Sequence, residues 1–161
     1  MELISLDDDE RLFISPAIED WHPILEKQIT VVIDLEGELD IGVSTVPNQL
    51  MYIYFPILDE GLPDLVKLNS LAQLGASLVK QGHKVLSHCG MGYNRSALVA
   101  GLILTHLGMD GVSAVQLLRE KRAGALFNEN FAAYLSSVVP VKSYRAIQRI
   151  NGQQYITRKQ P

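Results

Sequence analysis

A cysteine and an arginine six residues apart lie on a short stretch that contains two glycines, His88-Cys89-Gly90-Met91-Gly92-Tyr93-Asn94-Arg95-Ser96. The residues before this stretch are predicted to form a short buried strand and those after it an apolar helix, so the stretch itself is predicted to be a loop. The backbone N–H groups of such a loop converge on an anion, and the positive end of the helix dipole reinforces them. Arg95 adds a planar guanidinium that can hold two phosphate oxygens at once. The stretch therefore predicts a phosphate-binding loop.

Cys89 is predicted to be a nucleophile. Only the thiolate form of cysteine attacks, and loops at helix N-termini next to cations favour the thiolate over the thiol. Attack on a bound phosphorus would form a phosphocysteine, which divides one difficult hydrolysis into two easier steps. Ser96 is placed to hydrogen-bond the sulfur and help it leave in the second step. We expect His88 to fix the loop through backbone hydrogen bonds rather than to carry a proton.

The residue types around Cys89 decide between two interpretations of this cysteine. A single cysteine is often a small buried apolar residue at the end of a core strand. Here a histidine precedes it, a glycine lies at the third position after it, and arginine and serine lie at the sixth and seventh. Average residue usage would produce this set with a probability of roughly 10⁻⁵. We therefore interpret Cys89 as part of a chemical site.

The same residues resemble the signature loop of the cysteine-dependent protein tyrosine phosphatases, and the chain length and flanking pattern are most similar to the dual-specificity subgroup. Residues 55–64 are similar to the general-acid loop of that family, with Asp59 at the place of the acid, thirty residues before Cys89. The resemblance covers roughly residues 10 to 138. Beyond the loop it rests on residues 117–122, Asn128 and Phe131.

The resemblance implies a fold and a set of roles. The fold is α/β, with a central and mostly parallel sheet flanked by helices. The reaction is hydrolysis of a phosphomonoester without metal or other cofactor, with Cys89 as nucleophile, Arg95 as phosphate clamp and Asp59 as general acid. The phosphate itself is expected to be bound by Gly90, Met91, Gly92, Tyr93, Asn94 and Arg95.

Two neighbouring carboxylates leave the identity of the acid open. Glu60 follows Asp59 directly, and we expect it to be a solvated turn residue. Asp64 follows Pro63, and we expect it to be a first-turn carboxylate that complements a helix dipole. Arg122 matches a position that in some dual-specificity enzymes contacts a second phosphate or the substrate backbone. The alternative for Arg122 is a surface arginine whose stem packs on its helix.

Several functions share this chemistry. A phosphorylated protein carrying phosphotyrosine, phosphoserine or phosphothreonine is the expected substrate, and a nucleic-acid 5′-phosphate, a glucan or a lipid is the alternative. The uncharged residues between Cys89 and Arg95 disfavour a highly phosphorylated inositol. Rhodanese-like sulfur transferases and arsenate reductases also place a cysteine on a loop that ends in arginine, but they need no aspartic acid upstream. A protein that binds phosphate without turnover is the third class.

Strand and helix patterns alternate along the chain, which predicts a sheet with helices packed on its faces. The segment Glu36–Asn48 contains two glycines and Pro47 and is predicted to be a loop. A nearly all-apolar run at residues 97–104 predicts that the helix behind the loop is buried. The expected strands are Leu12–Ile18, Ile29–Leu35, Met51–Phe55 and Lys84–Ser87. The expected helices are Asp20–Lys27, Pro63–Lys80, Arg95–Leu107 and two later helices capped by Asp110 and Asn128.

The composition of the chain limits the classes of protein to which it can belong. A chain of 161 residues with 47% hydrophobic residues, a net charge of −4 and a mean hydropathy of +0.11 predicts one globular domain, and no global charge attracts nucleic acid. No apolar run reaches the 18 or so residues of a membrane span, and the chain lacks the pattern of a secretory signal. One cysteine fits a reducing compartment, so we expect a cytoplasmic protein. His22, His83 and His106 lack the spacing of a metal site.

The domain is expected to span residues 1–161, with a core of about 10–140 and a basic C-terminal extension at 141–161. Five of the fourteen cations lie in Lys142–Lys159, and no acid follows Glu129. A solvated tail and a segment that docks on an acidic partner or an anionic surface are both compatible with this pattern.

Overall fold

A five-stranded sheet with its fifth strand in the middle organises the chain. The structure is a computed structural model, and it describes residues 1–140. The strands are β1 (Ile4–Ser5), β2 (Leu12–Ser15), β3 (Val31–Asp34), β4 (Met51–Tyr54) and β5 (Val85–His88). The helices are α1 (His22–Glu26), α2 (Leu65–Lys80), α3 (Arg95–His106), α4 (Gly111–Lys121) and α5 (Glu129–Ser137). The strand order is β1-β2-β5-β3-β4, and all pairs but β1–β2 are parallel, which confirms the mostly parallel sheet.

Side chains that alternate along the strands form two apolar layers, one on each face of the sheet. Leu12 and Ile14 of β2 face a large cluster that includes buried residues of α2, α3, α4 and α5, whereas Phe13 faces a smaller cluster with Ile24 of α1. Successive side chains of a strand point to opposite faces of a sheet. The sheet is therefore covered by four helices on one face and by α1 on the other.

The first part of the chain differs from the expectation in two respects. The strand expected at Leu12–Ile18 ends at Ser15, because Pro16 has no N–H to continue the ladder. The short strand β1 is not predicted by any alternation, since it has only two residues. A turn places it beside β2: one carboxylate oxygen of Asp7 accepts hydrogen bonds from the backbone N–H groups of Arg11 and Leu12, both at 2.9 Å.

The start of α2 corrects the expectation for Asp64. The helix begins at Leu65 rather than at Pro63, and Asp64 is its N-cap. The Asp64 carboxylate accepts hydrogen bonds from the N–H groups of Val66 (2.9 Å) and Lys67 (3.1 Å). Asp64 therefore satisfies unpaired donors at the helix end instead of standing within the first turn.

The caps expected for the last two helices are confirmed. Asp110 accepts a hydrogen bond from the N–H of Ser113 (2.9 Å) at the start of α4. Asn128 accepts from the N–H groups of Asn130 (3.1 Å) and Phe131 (3.4 Å) at the start of α5. These local bonds fix where both helices enter the fold.

Helix α3 is the most enclosed of the helices. Residues 96–105 are all buried, as the apolar sequence predicts. A Cβ on Gly101 of this helix would overlap a Leu135 methyl of α5, so the glycine permits close packing of the two helices. The core therefore holds α3, and with it the loop that precedes it, in one position.

No helix within residues 1–140 combines the length and apolarity needed to cross a bilayer. The basic extension at 141–161 lies outside the described residues. The assignment of the whole chain to one domain stays a prediction.

Candidate active site

Residues 89–94 connect the central strand β5 to α3, and we call this connection the Cys89 loop. The parallel strands β2, β5 and β3 end at the same edge of the sheet, and the loop lies there. This edge is where open α/β sheets commonly bind ligands. Because α3 begins at Arg95, the positive end of a buried helix dipole is directed at the loop. This is the arrangement that the sequence predicts for an anion site.

The end of β2 supports the Cys89 loop through backbone contacts. The N–H of Ala17 donates a hydrogen bond to the carbonyl oxygen of Gly90 at 3.2 Å. Gly92 has a φ of +70°, and a Cβ there would lie 2.6 Å from the backbone N of Pro16 and from the carbonyl carbon of Ser15. Only glycine fits this close approach without displacing the loop.

Cys89 and Ser96 lie together on the floor of the loop. Cys89 is buried, with 2% of its surface exposed, and its Sγ lies 3.5 Å from the Oγ of Ser96. The hydroxyl of Ser87 donates to the carbonyl of Ser96 at 3.2 Å, which ties the start of α3 to β5. The structure thus brings the predicted nucleophile and the predicted sulfur partner into contact.

The Arg95 guanidinium spans two neighbouring segments. Its Nη2 lies 2.9 Å from the Oε1 of Glu36, an ion pair in which Arg95 is 16% exposed. Its Nη1 donates to the carbonyl oxygens of Leu35 (3.3 Å) and Ile57 (3.4 Å). The buried Nε has no hydrogen-bond partner among the described residues. Three acceptors therefore set the plane of the guanidinium at the rim of the loop.

Asp59 is the carboxylate that contacts the Cys89 loop. Its Oδ2 accepts a hydrogen bond from the side-chain amide of Asn94 at 2.9 Å, and its Oδ1 accepts one from the amide of Asn128 at 3.1 Å. Glu60 is exposed and contributes its backbone carbonyl to Asn128. Asp64 caps α2. Of the three candidates for the acid, the geometry therefore brings only Asp59 to the loop.

His88 lies between carboxylates rather than against the loop backbone. Its buried Nε2 is 2.9 Å from the Oδ2 of Asp40 and 3.6 Å from the Oδ1 of Asp34. Neither ring nitrogen makes a well-oriented hydrogen bond to another described residue. The hydroxyl of Tyr52 donates to Asp34 and lies 3.0 Å from the Oδ2 of Asp40. The His88 side chain therefore contacts carboxylates, and its expected role in fixing the loop stays a prediction.

Burial shifts the pKa of three residues in this group. Burial raises the pKa of Asp40, and the nearby His88 offsets part of that rise. Burial also lowers the pKa of His88, although the nearby carboxylates of Asp40 and Asp34 act to raise it. The pKa of Tyr52 is raised by burial and by its hydrogen bond to Asp34, so the phenol keeps its proton and donates it. Burial therefore favours the neutral forms of Asp40, His88 and Tyr52.

Asp34, Asp40 and His88 are the candidate ligands for a metal ion within residues 1–140. Each of them places one ligand atom within 4.8 Å of the others. Imidazole and carboxylate are common ligands of divalent metals. However, Tyr52 already donates to Asp34 and His88 lies in contact with Asp40. A reaction without metal stays a prediction.

Arg122 contacts the outer side of the Cys89 loop. Its Nη2 donates to the carbonyl oxygen of Met91 at 3.0 Å, and its guanidinium carbon lies 4.0 Å from the centre of the Tyr93 ring. Its Nη1 lies 3.6 Å from a carboxylate oxygen of Glu2, and its side chain is 11% exposed. These contacts stabilise the loop. A direct contact between Arg122 and a substrate stays a prediction.

The residues that sequence reasoning missed come from the segment expected to be a plain loop. Glu36 pairs with Arg95, and Asp40 lies against His88. A signal existed: this acidic segment follows β3, a strand that runs parallel to β5 and ends at the same edge of the sheet. Loops at that edge are expected to contribute to a site.

The sequence of this chain is similar to those of known proteins. Residues 15–139 match the sequence model of the family described as dual specificity phosphatase, catalytic domain. Cyclin-dependent kinase inhibitor 3 of Rattus norvegicus is 35% identical over 99 residues, which cover 52% of this chain and 46% of the rat protein. The match thus spans about half the length of the curated relatives.

Solved structures are similar to most of this chain. The crystal structure of human DUSP28 has a TM-score of 0.69 at 20% identity, covering 83% of this chain and 89% of that chain. The crystal structure of the human tyrosine phosphatase-like serine/threonine/tyrosine-interacting protein has a TM-score of 0.67 at 21% identity, covering 91% and 97%. These two likenesses show a shared fold and confirm the expected sheet architecture. Since the family model covers far more than half of its length, this chain belongs to the family of dual specificity phosphatase catalytic domains.

Proposed function

We propose that this chain hydrolyses phosphomonoesters of phosphorylated proteins through a phosphocysteine intermediate. One observation carries the proposal: the carboxylate of Asp59 is hydrogen-bonded to Asn94, a residue of the same loop that holds Cys89. A cysteine loop that only moved sulfur or reduced arsenate would need no carboxylate there. Placement of an acid beside a nucleophile and a phosphate clamp is the requirement of phosphate ester cleavage.

The first half of the reaction transfers the phosphoryl group to sulfur. The phosphate dianion binds to the N–H groups of the Cys89 loop and to the guanidinium of Arg95. The thiolate of Cys89 attacks phosphorus in line, so a sulfur–phosphorus bond forms while the bond to the ester oxygen breaks. Asp59, in its protonated form, gives its proton to the departing oxygen. The loop donors and Arg95 stabilise the charge on the transferring oxygens.

The second half returns the enzyme to its starting state. Water attacks phosphorus, the sulfur–phosphorus bond breaks, and the electron pair returns to Cys89 as thiolate. Asp59 takes the proton of the attacking water, which restores the acid for the next cycle. The Ser96 hydroxyl lies 3.5 Å from the sulfur, where it can donate a hydrogen bond to the thiolate as it leaves.

Charge at the site supports a protein substrate over a polyanion. The five residues between Cys89 and Arg95 are uncharged. Arg95 is paired with Glu36, and Arg122 is directed at a loop carbonyl. Among residues 1–140, the two arginines that contact the loop are therefore both engaged, and neither is free to bind a second phosphate. A panel of phosphopeptides, inositol lipids and phosphorylated RNA ends, assayed in parallel, tests this proposal, and preference for either non-protein substrate would contradict it.

Loss of turnover with retention of binding tests the chemistry. Cys89→Ser is expected to abolish hydrolysis of an aryl phosphate while vanadate still binds, because a serine hydroxyl is not ionised at neutral pH whereas the N–H groups of the loop remain. Asp59→Asn is expected to lower turnover by a factor on the order of 10²–10⁴, the usual worth of a positioned general acid. A wild-type chain that binds vanadate but turns over no aryl phosphate would instead be a phosphate-binding module.

A further inference from the structure

Asn128 has a side chain whose two ends face different partners. Its Oδ1 accepts hydrogen bonds from the N–H groups of Asn130 and Phe131, which cap α5. Its Nδ2 donates to the Oδ1 of Asp59 at 3.1 Å and to the carbonyl of Glu60 at 3.0 Å. Since backbone N–H groups can only donate, the amide oxygen must face the helix. The amide nitrogen must then face the acid loop, so the orientation of this amide is determined.

Asn94 is oriented by the same logic. Its Oδ1 accepts a hydrogen bond from the backbone N–H of Asn128 at 3.0 Å, which leaves its Nδ2 to donate to the Oδ2 of Asp59 at 2.9 Å. Asn94 is 1% exposed. Asp59, Asn94 and Asn128 thus form a closed ring of three hydrogen bonds. The ring joins the acid loop, the Cys89 loop and the N-terminus of α5.

This ring fixes both oxygens of one carboxylate without using a charged partner. The Asp59 side chain is exposed, so packing alone does not hold it. A displacement of about 1 Å at a reacting group is enough to cost a factor on the order of 10² in rate. Two rigid amide donors restrict the carboxylate to one position over the loop.

We propose that Asn128 is a positioning residue, which holds Asp59 where its proton reaches the leaving oxygen of the substrate. The proposal rests on the proposed function and assigns Asn128 a role beyond its helix cap. Asn94 lies in the Cys89 loop, and its replacement would also disturb phosphate binding. Asn128 lies outside that loop, so its replacement tests the positioning of Asp59 without disturbing phosphate binding.

Asn128→Ser is the decisive variant. Serine is as good an N-cap as asparagine, so α5 keeps its cap, but the donor to Asp59 is lost. Turnover of substrates with basic leaving groups is expected to fall about 10- to 100-fold, a part of the full worth of a general acid. Turnover of an aryl phosphate with an acidic fluorinated phenol is expected to change less than about twofold, because that group leaves without a proton. KM and vanadate affinity are expected to stay at the wild-type values.

Asn130→Ser is the matched control. Asn130 lies on the same turn and donates to the carbonyl of Glu60 at 3.2 Å, but it makes no hydrogen bond to Asp59. Its replacement is expected to leave the leaving-group dependence of the rate unchanged. A uniform loss across the leaving groups in Asn128→Ser, or the same loss in Asn130→Ser, would reduce Asn128 to a structural residue and overturn the proposal.

A double variant separates this proposal from the proposed function. In an Asp59→Asn background, Asn128→Ser is expected to cause no further loss, since Asn128 acts through Asp59. Additive losses would overturn the positioning role while leaving the phosphatase assignment intact. Absence of turnover in the wild type would refute the function itself, whereas an Asp59→Asn variant as active as the wild type would overturn the acid role of Asp59 and with it the positioning role of Asn128. If Asn128→Ser fails to fold, Asn128→Asp retains the cap and places a repelling carboxylate beside Asp59, with the same expected leaving-group dependence.

Discussion

Adding a single methyl group at Gly92 is expected to lower both the stability of the fold and the activity of the site, by amounts that can be measured separately. In Gly92→Ala the added Cβ would lie 2.6 Å from two backbone atoms of Ser15 and Pro16. Optimal contact between such atoms is about 3.5 Å. Because backbone atoms cannot rotate away, the Cys89 loop must move from β2 by about 1 Å. The φ of +70° at this position adds strain for any residue with a side chain.

The two effects have different magnitudes and different readouts. A left-handed φ costs alanine about 1–2 kcal/mol, and the close contact adds about 1–3 kcal/mol, as overpacking does elsewhere. We therefore expect urea denaturation to report a loss of about 2–5 kcal/mol of unfolding free energy. A shift of the loop by about 1 Å is expected to lower kcat/KM by a factor on the order of 10². Vanadate affinity is expected to fall as well, because the loop donors no longer converge.

Gly82→Ala is the control for strain alone. Gly82 has a φ of +92°, but the nearest atom to an added Cβ is the Nη1 of Arg11 at 3.9 Å. Its replacement is expected to cost about 1–2 kcal/mol and to leave kcat/KM unchanged. If Gly92→Ala matched Gly82→Ala in stability and kept wild-type vanadate affinity, the argument from the close approach to β2 would be refuted.

Three further perturbations test the site and its surroundings. Arg95→Lys is expected to lower kcat/KM nearly as much as Arg95→Ala, because an ammonium cannot hold two phosphate oxygens as a guanidinium does, and high activity of the lysine variant would contradict this. EDTA is expected to leave turnover unchanged, since the carboxylates of Asp34 and Asp40 already have protein partners, and strong inhibition would contradict the mechanism. Burial and then Lys80 lower the pKa of His106 in the folded protein. The unfolded chain therefore binds more protons below the ordinary histidine pKa of about 6.5, so stability falls as pH falls through that range. His106→Gln is expected to reduce this pH dependence in urea denaturation, and an unchanged profile would contradict it.

Features that depend on neighbouring residues could be predicted from the sequence. The apolar run at 97–104 predicts a buried helix, and Asp110 and Asn128 predict two caps, because each signal and its consequence lie within one turn. The Cys89 loop is predictable for the same reason, since a strand, a glycine-bearing loop and a helix follow each other directly. The expected start of α2 at Pro63 is two residues too early, because the side chain of Asp64 caps the helix and Leu65 is its first residue.

Several features that depend on tertiary contacts could not be predicted from the pattern of residues. Glu36 is 59 positions away from the arginine it pairs with, and no local periodicity relates the two. Asp40 reaches His88 only because β3 and β5 lie side by side. The short strand β1 forms because a turn at Asp7 folds it against β2. In each case the partner is determined by the order of strands in the sheet.

Because α3 is buried, it is expected to unfold only together with the whole domain. Residues 96–105 are buried on every side, so their amide hydrogens are expected to exchange with solvent only when the whole domain unfolds. Exposed segments such as residues 58–62, which carry Asp59, are expected to exchange through small local openings. The floor of the site and the acid above it therefore belong to different cooperative units. A destabilised variant would lose its acid loop first, while the Cys89 loop stays intact until global unfolding.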